Sequence, residues 1–426
     1  MKERILFVVE SCFYPVRDGS SERYYTWLQY LYKIGLEVHF LSFNGRKRKW
    51  DKTSLDFIKK YVKSFFIINR YQGILISLVK VIIQIAAQMI TGKRYSSYLI
   101  DKIFHRSYLD KIQSYIEKNS IDTIIVNKIN AAMLMGFELI KESNVLKIID
   151  IQDIHSNHYR LHNNLLTHTP LKEFVFGNYS KFILSKFKTI IFPNNYANSF
   201  AEEMEILSIF NVILATSLDE QKRLQNNINI LNKIKYLPPY IRDKNIDLSF
   251  KNNKKFDFGF IGSAAILNFE AIIFFKESII PEIQKIKPDF RCLIGGSICK
   301  VTRSILKGEN YIFIDPVDNV DTFYNKIKVV VVPLLSGTGV SIKTLEAMSY
   351  GCPIISTSAG IRGLDLTHGY DVMIEDDPKK FASTLISLLD NESLIHNLGL
   401  NALKTSLEKY SFERHHEILS SVITRH

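Results

Sequence analysis

The stretch that decides the fold covers residues 329–363 and reads VVVVPLLSGTGVSIKTLEAMSYGCPIISTSAGIRG. Its opening run of valines predicts a buried strand that ends at Pro333, and a loop with two glycines follows. A helix is predicted to begin near Ser341 and to stop at Gly351, and a second buried strand follows Pro353. This order of strand, loop, helix and strand is typical of a parallel α/β sheet.

The loop and the first turn of the helix form a predicted anion site. The loop residues are Gly337, Thr338, Gly339, Val340 and Ser341. Free backbone N–H groups and the helix dipole both favour an anion at such a helix start. Lys343 lies in the first turn, where its charge opposes the dipole. We therefore expect Lys343 to serve a ligand, and a diphosphate would suit it.

Glu346 is the second candidate on this helix. It follows Lys343 by three residues and so shares its helical face. Its neighbours are apolar, and a carboxylate in such a setting needs a partner. The ribose hydroxyls of a nucleotide could supply one, since both can donate to one carboxylate. The alternative is an ion pair between Lys343 and Glu346 that only stabilises the helix.

The same alternation of strands and helices extends over the chain of 426 residues, which is long enough for two domains. Continuous apolar strands between helices predict parallel sheets covered on both faces. The predicted strands are Arg4–Glu10, Glu37–Ser42, Phe65–Ile68, Ile121–Val126, Leu146–Ile149, Asn211–Thr216, Phe256–Ile261, Phe290–Ile294, Tyr311–Ile314, Val329–Val332 and Ile354–Ile355.

The sequence predicts a linker near Tyr236–Tyr240, where neither helix nor strand continues. The expected division is an N-terminal Rossmann-like domain over 1–238 and a C-terminal one over 239–405. The helix over 406–426 is expected to pack back on the N-terminal domain. The fold class is therefore α/β, with two doubly wound parallel sheets that face a cleft.

Charge limits the classes of partner. The net charge is +12 and the pI is near 9.2, which fits nucleic acid, an anionic membrane surface or phosphorylated small molecules. No nucleic-acid motif is present, so the other two are favoured. The basic run 46–49 beside Trp50 could lie at lipid headgroups, or it could form a solvated loop.

Targeting and cysteine patterns indicate a cytoplasmic protein. The N-terminus has neither the long apolar stretch nor the cleavage site of a secretory signal. The four cysteines are scattered, which favours free thiols in a reducing compartment. The apolar segment Gly73–Ile90 approaches the length of a membrane span, but Lys80, Gln84 and Gln88 give it one polar stripe. A helix in the core or on a membrane surface fits it better than a span.

A second candidate patch follows the strand at Leu146–Ile149. It reads DIQDIHSNH over residues 150–158, a position where Rossmann domains display functional groups. Asp153 and His155 are its catalytic candidates, and helix capping or loop hydrogen bonds are the alternative for Asp153. A metal site that adds His162 and His168 is disfavoured, because the spacing is loose and no cysteine or paired carboxylate supports it.

The 329–363 string resembles the C-terminal signature of the retaining GT-B glycosyltransferase family called group 1, or family 4. Residues 258–263 with 268–271 resemble the opening of its donor domain, and Pro15 to Val38 resembles its glycine loop, first helix and second strand. The resemblance implies a glycosyltransferase that moves a sugar from a nucleotide diphosphate donor. It also implies retention of configuration and no metal or other cofactor.

Carried onto this sequence, the resemblance assigns roles to individual residues. Glu346 would bind the donor ribose, while Lys343 and the loop 337–341 would hold the diphosphate. Gly19 and Gly262 would let their loops approach the donor. An acidic residue or a histidine in the patch after the strand often faces the cleft in this family, which points to Asp153 and His155.

One departure bears on function. Many family members carry a second glutamate eight positions before the one matched by Glu346, and here that position is Thr338.

The expected acceptor is a saccharide or a lipid-linked saccharide, such as a lipopolysaccharide core, in bacterial surface polysaccharide assembly. Peripheral contact with the cytoplasmic membrane face would accompany it. The alternatives are a GT-B nucleotide-sugar epimerase and a non-catalytic protein that binds sugar nucleotides as a scaffold.

Overall fold

The computed structural model describes residues 3–16, 19–44, 48–69, 97–154, 196–241, 254–315, 317 and 320–423. It divides the chain into two compact units, the first ending at Leu237 and the second continuing from Pro238. Each unit is built around its own parallel sheet. The sequence predicts the boundary after residue 238, one residue later than this division.

Unit 1 contains seven strands, each of them apolar and bounded by polar or turn residues. They are β1 Arg4–Val9, β2 Glu37–Asn44, β3 Ser64–Asn69, β4 Thr123–Asn127, β5 Leu146–Asp150, β6 Val212–Ala215 and β7 Ile234–Tyr236. Its described helices are α1 Gly19–Lys33, α2 Lys52–Ile58, α3 Ser97–Lys118, α4 Ile129–Met135, α5 Phe137–Glu142, α6 Tyr196–Ser208 and α7 Leu218–Gln225.

The strands of unit 1 lie in the order β3-β2-β1-β4-β5-β6-β7 and all pair in parallel. Strand order reverses between β1 and β4, where Leu6 lies between His39 on β2 and Ile124 on β4. Side groups at the carboxyl ends of these strands therefore face the region where doubly wound sheets bind ligands.

A buried ion pair joins α1 to the end of β5. The carboxylate of Asp150 accepts bonds from Arg23, with Nε at 2.6 Å and a terminal nitrogen at 3.0 Å. The indole of Trp27 donates to the same carboxylate at 2.8 Å. All three side chains are buried. Because three donors satisfy its charge, Asp150 is a structural residue that holds α1 against the sheet.

Unit 2 contains six strands. They are β8 Phe256–Ile261, β9 Cys292–Gly295, β10 Tyr311–Ile314, β11 Ile327–Val332, β12 Ile354–Ser356 and β13 Met373–Ile374. Its described helices are α8 Ile266–Phe274, α9 Ile280–Ile286, α10 Cys299–Thr302, α11 Asp321–Tyr324, α12 Ile342–Ser349, α13 Pro378–Leu389, α14 Glu392–Tyr410 and α15 Phe412–Ile423. A π-turn over Phe275–Ile279 links α8 to α9, and a 3₁₀ turn over Ser358–Ile361 follows β12.

The sheet of unit 2 has the order β10-β9-β8-β11-β12-β13, again parallel throughout. The order reverses between β8 and β11. The loop after β8 begins at Gly262, and the loop after β11 begins at Pro333. Both loops thus leave the carboxyl ends of adjacent strands at the switch point, where such sheets bind their ligands.

Trp50, which follows the basic run 46–49, lies outside the strands of the sheet. Trp50 is buried: its indole donates to Ser42 at 2.9 Å, and its ring packs edge-on against Phe13 and Phe40. The side chain of Trp50 therefore fills the core of unit 1, and the placement of the run 46–49, at lipid headgroups or in a solvated loop, stays a prediction.

The segment Gly73–Ile90 lies outside the described residues. Within the parts of the chain that the structure describes, no helix combines the length and the apolar character needed to cross a membrane. Helix α15 groups with unit 2, where His415 donates through Nδ1 to the carbonyl of Pro238 at 2.9 Å. The packing of 406–426 against unit 1 stays a prediction.

Candidate functional site

The start of α12 is fixed by hydrogen bonds to the segment after β12. The backbone N–H of Ser341 donates to the carbonyl of Arg362 at 3.1 Å. The hydroxyl of Thr344 donates to the carbonyl of Gly360 at 2.6 Å. Gly339 has a φ of 61°, a left-handed conformation that glycine adopts without steric cost. The loop 337–341 therefore reaches the helix in one defined path.

Lys343, on the first turn of α12, contacts residues of β8 and α8. Its ammonium donates to the side-chain oxygen of Asn268 and lies 4.3 Å from the centre of the Phe260 ring. Burial lowers the pKa of Lys343 to about 7, and the nearby charge of Arg362 adds to this effect. The ammonium is thus held near the loop in a setting that favours arrival of an anion.

No ion pair joins Lys343 and Glu346, two described residues on the same helical face; the ammonium is bound to Asn268 instead. The interpretation of these residues as a helix-stabilising pair is therefore wrong. Glu346 is positioned by another partner, since the hydroxyl of Tyr324 donates to Glu346 Oε2 at 3.1 Å.

Tyr324 is itself part of a rigid support. Its ring is buried and stacks on Tyr350 with centroids 4.5 Å apart. The hydroxyl of Tyr350 donates to Asp321 on α11. Burial, with the negative charge of Glu346 as a further cause, raises the pKa of Tyr324 well above its ordinary value. Tyr324 therefore stays a hydrogen-bond donor and orients the carboxylate of Glu346.

Arg362 is a site residue that the sequence analysis missed. Its Nε donates to the carbonyl of Thr338 at 3.1 Å, and a terminal nitrogen donates to the carbonyl of Ala359 at 2.9 Å. The guanidinium lies directly over Gly337, where an added Cβ would come within 2.1 Å of its central carbon. The loop thus carries a second cation beside Lys343. The residue stands in the quoted string, but its contacts with 337–338 depend on the tertiary fold.

The glycine at the end of β8 is needed for close packing. A Cβ on Gly262 would lie 2.9 Å from the side-chain nitrogen of Asn268. That nitrogen donates to the carbonyl of Ser263 at 2.9 Å, while the oxygen of the same amide accepts from Lys343. Asn268, on α8, therefore links the loop after β8 to Lys343 on α12.

Glu270, on α8, is a further carboxylate at this edge of the sheet. It accepts a hydrogen bond from Ser336 at 2.8 Å, and burial raises its pKa. Ser336 immediately precedes the loop 337–341. Around this loop, unit 2 therefore brings together two cations, two carboxylates and the N-terminus of α12, which can bind phosphoryl oxygens and sugar hydroxyls.

The structure describes only some of the site residues that were predicted in unit 1. Gly19 is the first residue of α1, and its predicted contact with a donor stays a prediction. Asp153 follows the end of β5 and lies beside the buried Glu220 on α7. His155 lies outside the described residues. Glu220 could not be singled out from the sequence, because it follows Ser217 as an ordinary acidic residue of a helix start.

A family model matches most of the second unit. Residues 255–391 match the family model described as Glycosyl transferases group 1. This match confirms the resemblance to group 1 over these residues, and it contains all the residues of the unit 2 site described above. The match begins one residue before β8.

One curated relative comes from Klebsiella pneumoniae and is described as an uncharacterized 44.6 kDa protein in the cps region. It is 27% identical over 220 residues, which span 49% of this chain and 55% of the relative. The match therefore covers about half the length of that protein.

Solved structures share the fold. Sucrose-phosphate synthase from Thermosynechococcus elongatus is 13% identical, with a TM-score of 0.65, and the match covers 100% of this chain and 99% of that one. The Anabaena protein HepE, solved with UDP and glucose, is 10% identical, with a TM-score of 0.62 and full coverage of both chains. The two parallel sheets therefore form a GT-B fold.

Proposed function

We propose that this chain, which carries a glycosyl transferases group 1 domain on a GT-B fold, is a glycosyltransferase that uses a nucleotide diphosphate sugar. The observation that carries the proposal is the arrangement of Lys343 and Arg362 around the loop 337–341. Arg362 donates to the carbonyls of Thr338 and Ala359, and Lys343 donates to the side-chain oxygen of Asn268, so both basic side chains are held beside the loop. A diphosphate fits this arrangement because it offers several oxygens to two cations and a helix start.

Glu346 is proposed to bind the ribose of the donor. It stands one turn beyond Lys343 on α12, and Tyr324 fixes one of its oxygens. A carboxylate can accept bonds from two adjacent hydroxyls, as ribose presents them. That HepE was solved with UDP and glucose supports a nucleotide-sugar ligand for this fold, and a UDP-hexose is the first donor to test.

The proposed transfer retains configuration and needs no metal. As the donor's glycosidic bond breaks, Lys343 and Arg362 would stabilise the charge that develops on the departing diphosphate. A departing phosphate oxygen would take the proton of the acceptor hydroxyl. Asp153 and His155 are proposed to serve the acceptor side of the reaction, because they follow the carboxyl end of β5.

The proposed acceptor is a saccharide or lipid-linked saccharide of a bacterial surface polysaccharide. The relative in the cps region supports this class of pathway. The net charge of +12 supports a phosphorylated acceptor or contact with an anionic membrane face. The proposed location is accordingly the cytoplasm, with peripheral contact at the membrane and a lipopolysaccharide core among the acceptors to test.

A second candidate is a protein that binds sugar nucleotides without catalysis. Thr338, in the position where many family members carry a glutamate, favours it, since no acid at that position can contact the transferred sugar. Such a protein would bind the donor as tightly as an enzyme does, but it would neither hydrolyse nor transfer the sugar.

The test uses the purified chain with radiolabelled UDP-, GDP-, ADP- and CDP-sugars and a lipid-linked saccharide extract, in the presence of EDTA. Labelled product in the lipid fraction, with the donor's anomeric configuration in its NMR spectrum, is the expected result. Inverted configuration or a requirement for divalent metal would contradict the proposed mechanism. Donor binding without turnover on any acceptor would favour the non-catalytic candidate.

A further inference from the structure

Glu220 is a buried acid whose side chain turns away from its own helix. It is the third residue of α7, and its backbone N–H donates to the capping hydroxyl of Ser217 at 3.1 Å. Its carboxyl group contacts the segment after β5, where Oε1 lies 3.3 Å from the backbone nitrogen of Ile154. Oε2 lies 3.0 Å from the hydroxyl of Thr216, which follows β6. Only 4% of Glu220 is exposed.

The hydroxyl of Thr216 would face two acceptors if Glu220 were ionised. It lies 3.0 Å from Oε2 of Glu220 and 2.8 Å from the carbonyl oxygen of Gln152, which can only accept. A hydroxyl has one hydrogen and cannot make a full hydrogen bond to both oxygens. The side chains of Glu220 and Asp153 are also hydrogen-bonded to each other, and a bond between two carboxyl groups needs a proton on one of them. A proton on Glu220 supplies that bond and leaves the hydrogen of Thr216 for Gln152.

The electrostatics of the site agree with a proton on Glu220. Burial raises the pKa of Glu220 to about 8, and the negative charge of Asp153 adds to the rise. Among the residues that the structure describes, Asp153 is the titratable group that faces Glu220 from the segment after β5. The N-terminus of α7 acts in the opposite direction by favouring the anion. The rise in the pKa of Glu220 shows that burial and Asp153 have the larger effect.

The segment Ile151–Ile154 needs such support. Gln152 has a φ of 55°, a left-handed conformation that a glutamine adopts only at a cost. Its carbonyl is held by Thr216, and Ile154 on its other side is held by Glu220. The backbone of Ile151 donates to Leu214 on β6 at 3.1 Å, so the segment is tied at both ends. Asp153 lies within it.

We propose that Glu220, held as the neutral acid, is a positioning residue that fixes the segment 151–154 and so holds the carboxylate of Asp153 at the carboxyl end of the unit 1 sheet. The role of Asp153 toward the acceptor rests on the proposed function, whereas the proton on Glu220 does not. A neutral Glu220 also spares Asp153 a second negative charge at close range.

Thermal unfolding between pH 5 and pH 9 tests the proton. The variants are Glu220→Gln, which keeps a donor and an acceptor without titrating, and Glu205→Gln, an exposed control on α6. An acid whose pKa is higher in the folded state stabilises the fold at low pH and loses that contribution as pH rises toward about 8. The wild-type Tm, relative to Glu220→Gln, should therefore fall by at least about 3 °C from pH 5 to pH 8. A difference that stays constant over this range would overturn the proposal.

Hydrogen exchange of the peptide that contains residues 151–154 tests the positioning role. Glu220→Gln should keep wild-type protection at pH 7, and Glu220→Ala should exchange at least about tenfold faster because Ile154 and Thr216 both lose a partner. An equal loss of exchange protection in both variants would show that the segment requires a carboxylate and would overturn the proposal.

Transfer kinetics then separate this inference from the proposed function. With an active acceptor, the kcat of the wild-type protein should fall above pH 8, where Glu220 loses its proton. Glu220→Gln should remove this fall and leave the KM for donor unchanged. A fall in kcat above pH 8 that persists in Glu220→Gln would contradict the positioning role. If no sugar is transferred to any acceptor, the proposed function fails, while the unfolding and exchange results still decide the state of Glu220.

Discussion

The ammonium of Lys343 lies 4.3 Å from the centre of the Phe260 ring, on a helix start where a cation opposes the dipole. The aromatic face and the oxygen of Asn268 hold the group in place, but neither carries a full negative charge. The charged form is therefore only partly favoured in the free protein. A bound diphosphate would favour it fully, which links donor binding to protonation.

Donor binding should consequently take up protons. Because the pKa of Lys343 is lowered to about 7, about half of the free protein is neutral at this group at pH 7. Binding of UDP-glucose, whose diphosphate charge is constant in this range, should take up about half a proton at pH 7. Affinity should fall as pH rises above 7, by up to roughly tenfold per pH unit.

Calorimetry in buffers of different ionisation enthalpy measures this uptake. Lys343→Arg, which cannot lose its charge near neutral pH, should bind without uptake. Lys285→Met, on the exposed face of α9, should leave uptake unchanged. Zero uptake by the wild-type protein would mean that Lys343 is fully charged before the donor arrives.

Glu346 should determine whether the site recognises ribose. If its carboxylate accepts from ribose hydroxyls, wild-type protein should bind UDP more tightly than 2′-deoxy-UDP, by roughly 10- to 100-fold. Glu346→Ala should bind both nucleotides equally weakly. Tyr324→Phe, which removes the donor to Oε2, should lower UDP affinity by roughly 2- to 10-fold and reduce the discrimination. Discrimination that persists in Glu346→Ala would place the ribose elsewhere.

The contact between Gly337 and Arg362 predicts an energetic coupling. A methyl group at 337 would displace the guanidinium, whose central carbon lies 2.1 Å from the position of an added Cβ. Since the obstacle is the end of a flexible side chain, Gly337→Ala should fold normally but bind donor about tenfold more weakly. Arg362→Gln should have a similar effect.

The double variant Gly337→Ala/Arg362→Gln completes a double-mutant cycle with these two single variants. It should bind donor about as well as Arg362→Gln alone, because both changes remove the same guanidinium. Additive losses in equilibrium binding would show that Arg362 makes no contribution to the donor site through this position.

The buried pair of Arg23 and Asp150 should dominate the stability of unit 1. Asp150→Ala leaves the guanidinium buried without its carboxylate, which should cost about 3–5 kcal/mol of unfolding free energy. The exposed pair of Asp56 and Lys59 is the matched control, and Asp56→Ala should cost at most about 1 kcal/mol. Urea unfolding measures both, and equal losses would contradict the assigned role of Asp150.

Local sequence pattern was sufficient for much of the fold. The valines before Pro333 predict β11 because apolar runs between turn signals form buried strands, and Ser217 predicts the start of α7 through its capping side chain. The loop and helix start at 337–346 were recognised for the same reason, since their chemistry is local.

The remaining features depend on contacts between distant residues. Lys343 meets Asn268, 75 positions earlier, and no local rule predicts that pair. Arg362 reaches 337–338 only because β12 lies beside β11. Trp50 follows a basic run typical of a surface, yet the core of unit 1 covers it. Glu220 has the pattern of a capping residue, and only its contacts with the segment after β5 reveal another role.

The most direct test of the central claim is equilibrium binding of UDP-, GDP-, ADP- and CDP-sugars to the wild-type protein and to Lys343→Ala and Glu346→Ala, with Lys285→Ala as the control. The account predicts that one nucleotide class binds the wild-type and control proteins and that each site variant weakens this binding at least about tenfold. Binding that survives both site variants, or no binding to the wild-type protein, would contradict the assignment of the donor site to the loop 337–341 and α12.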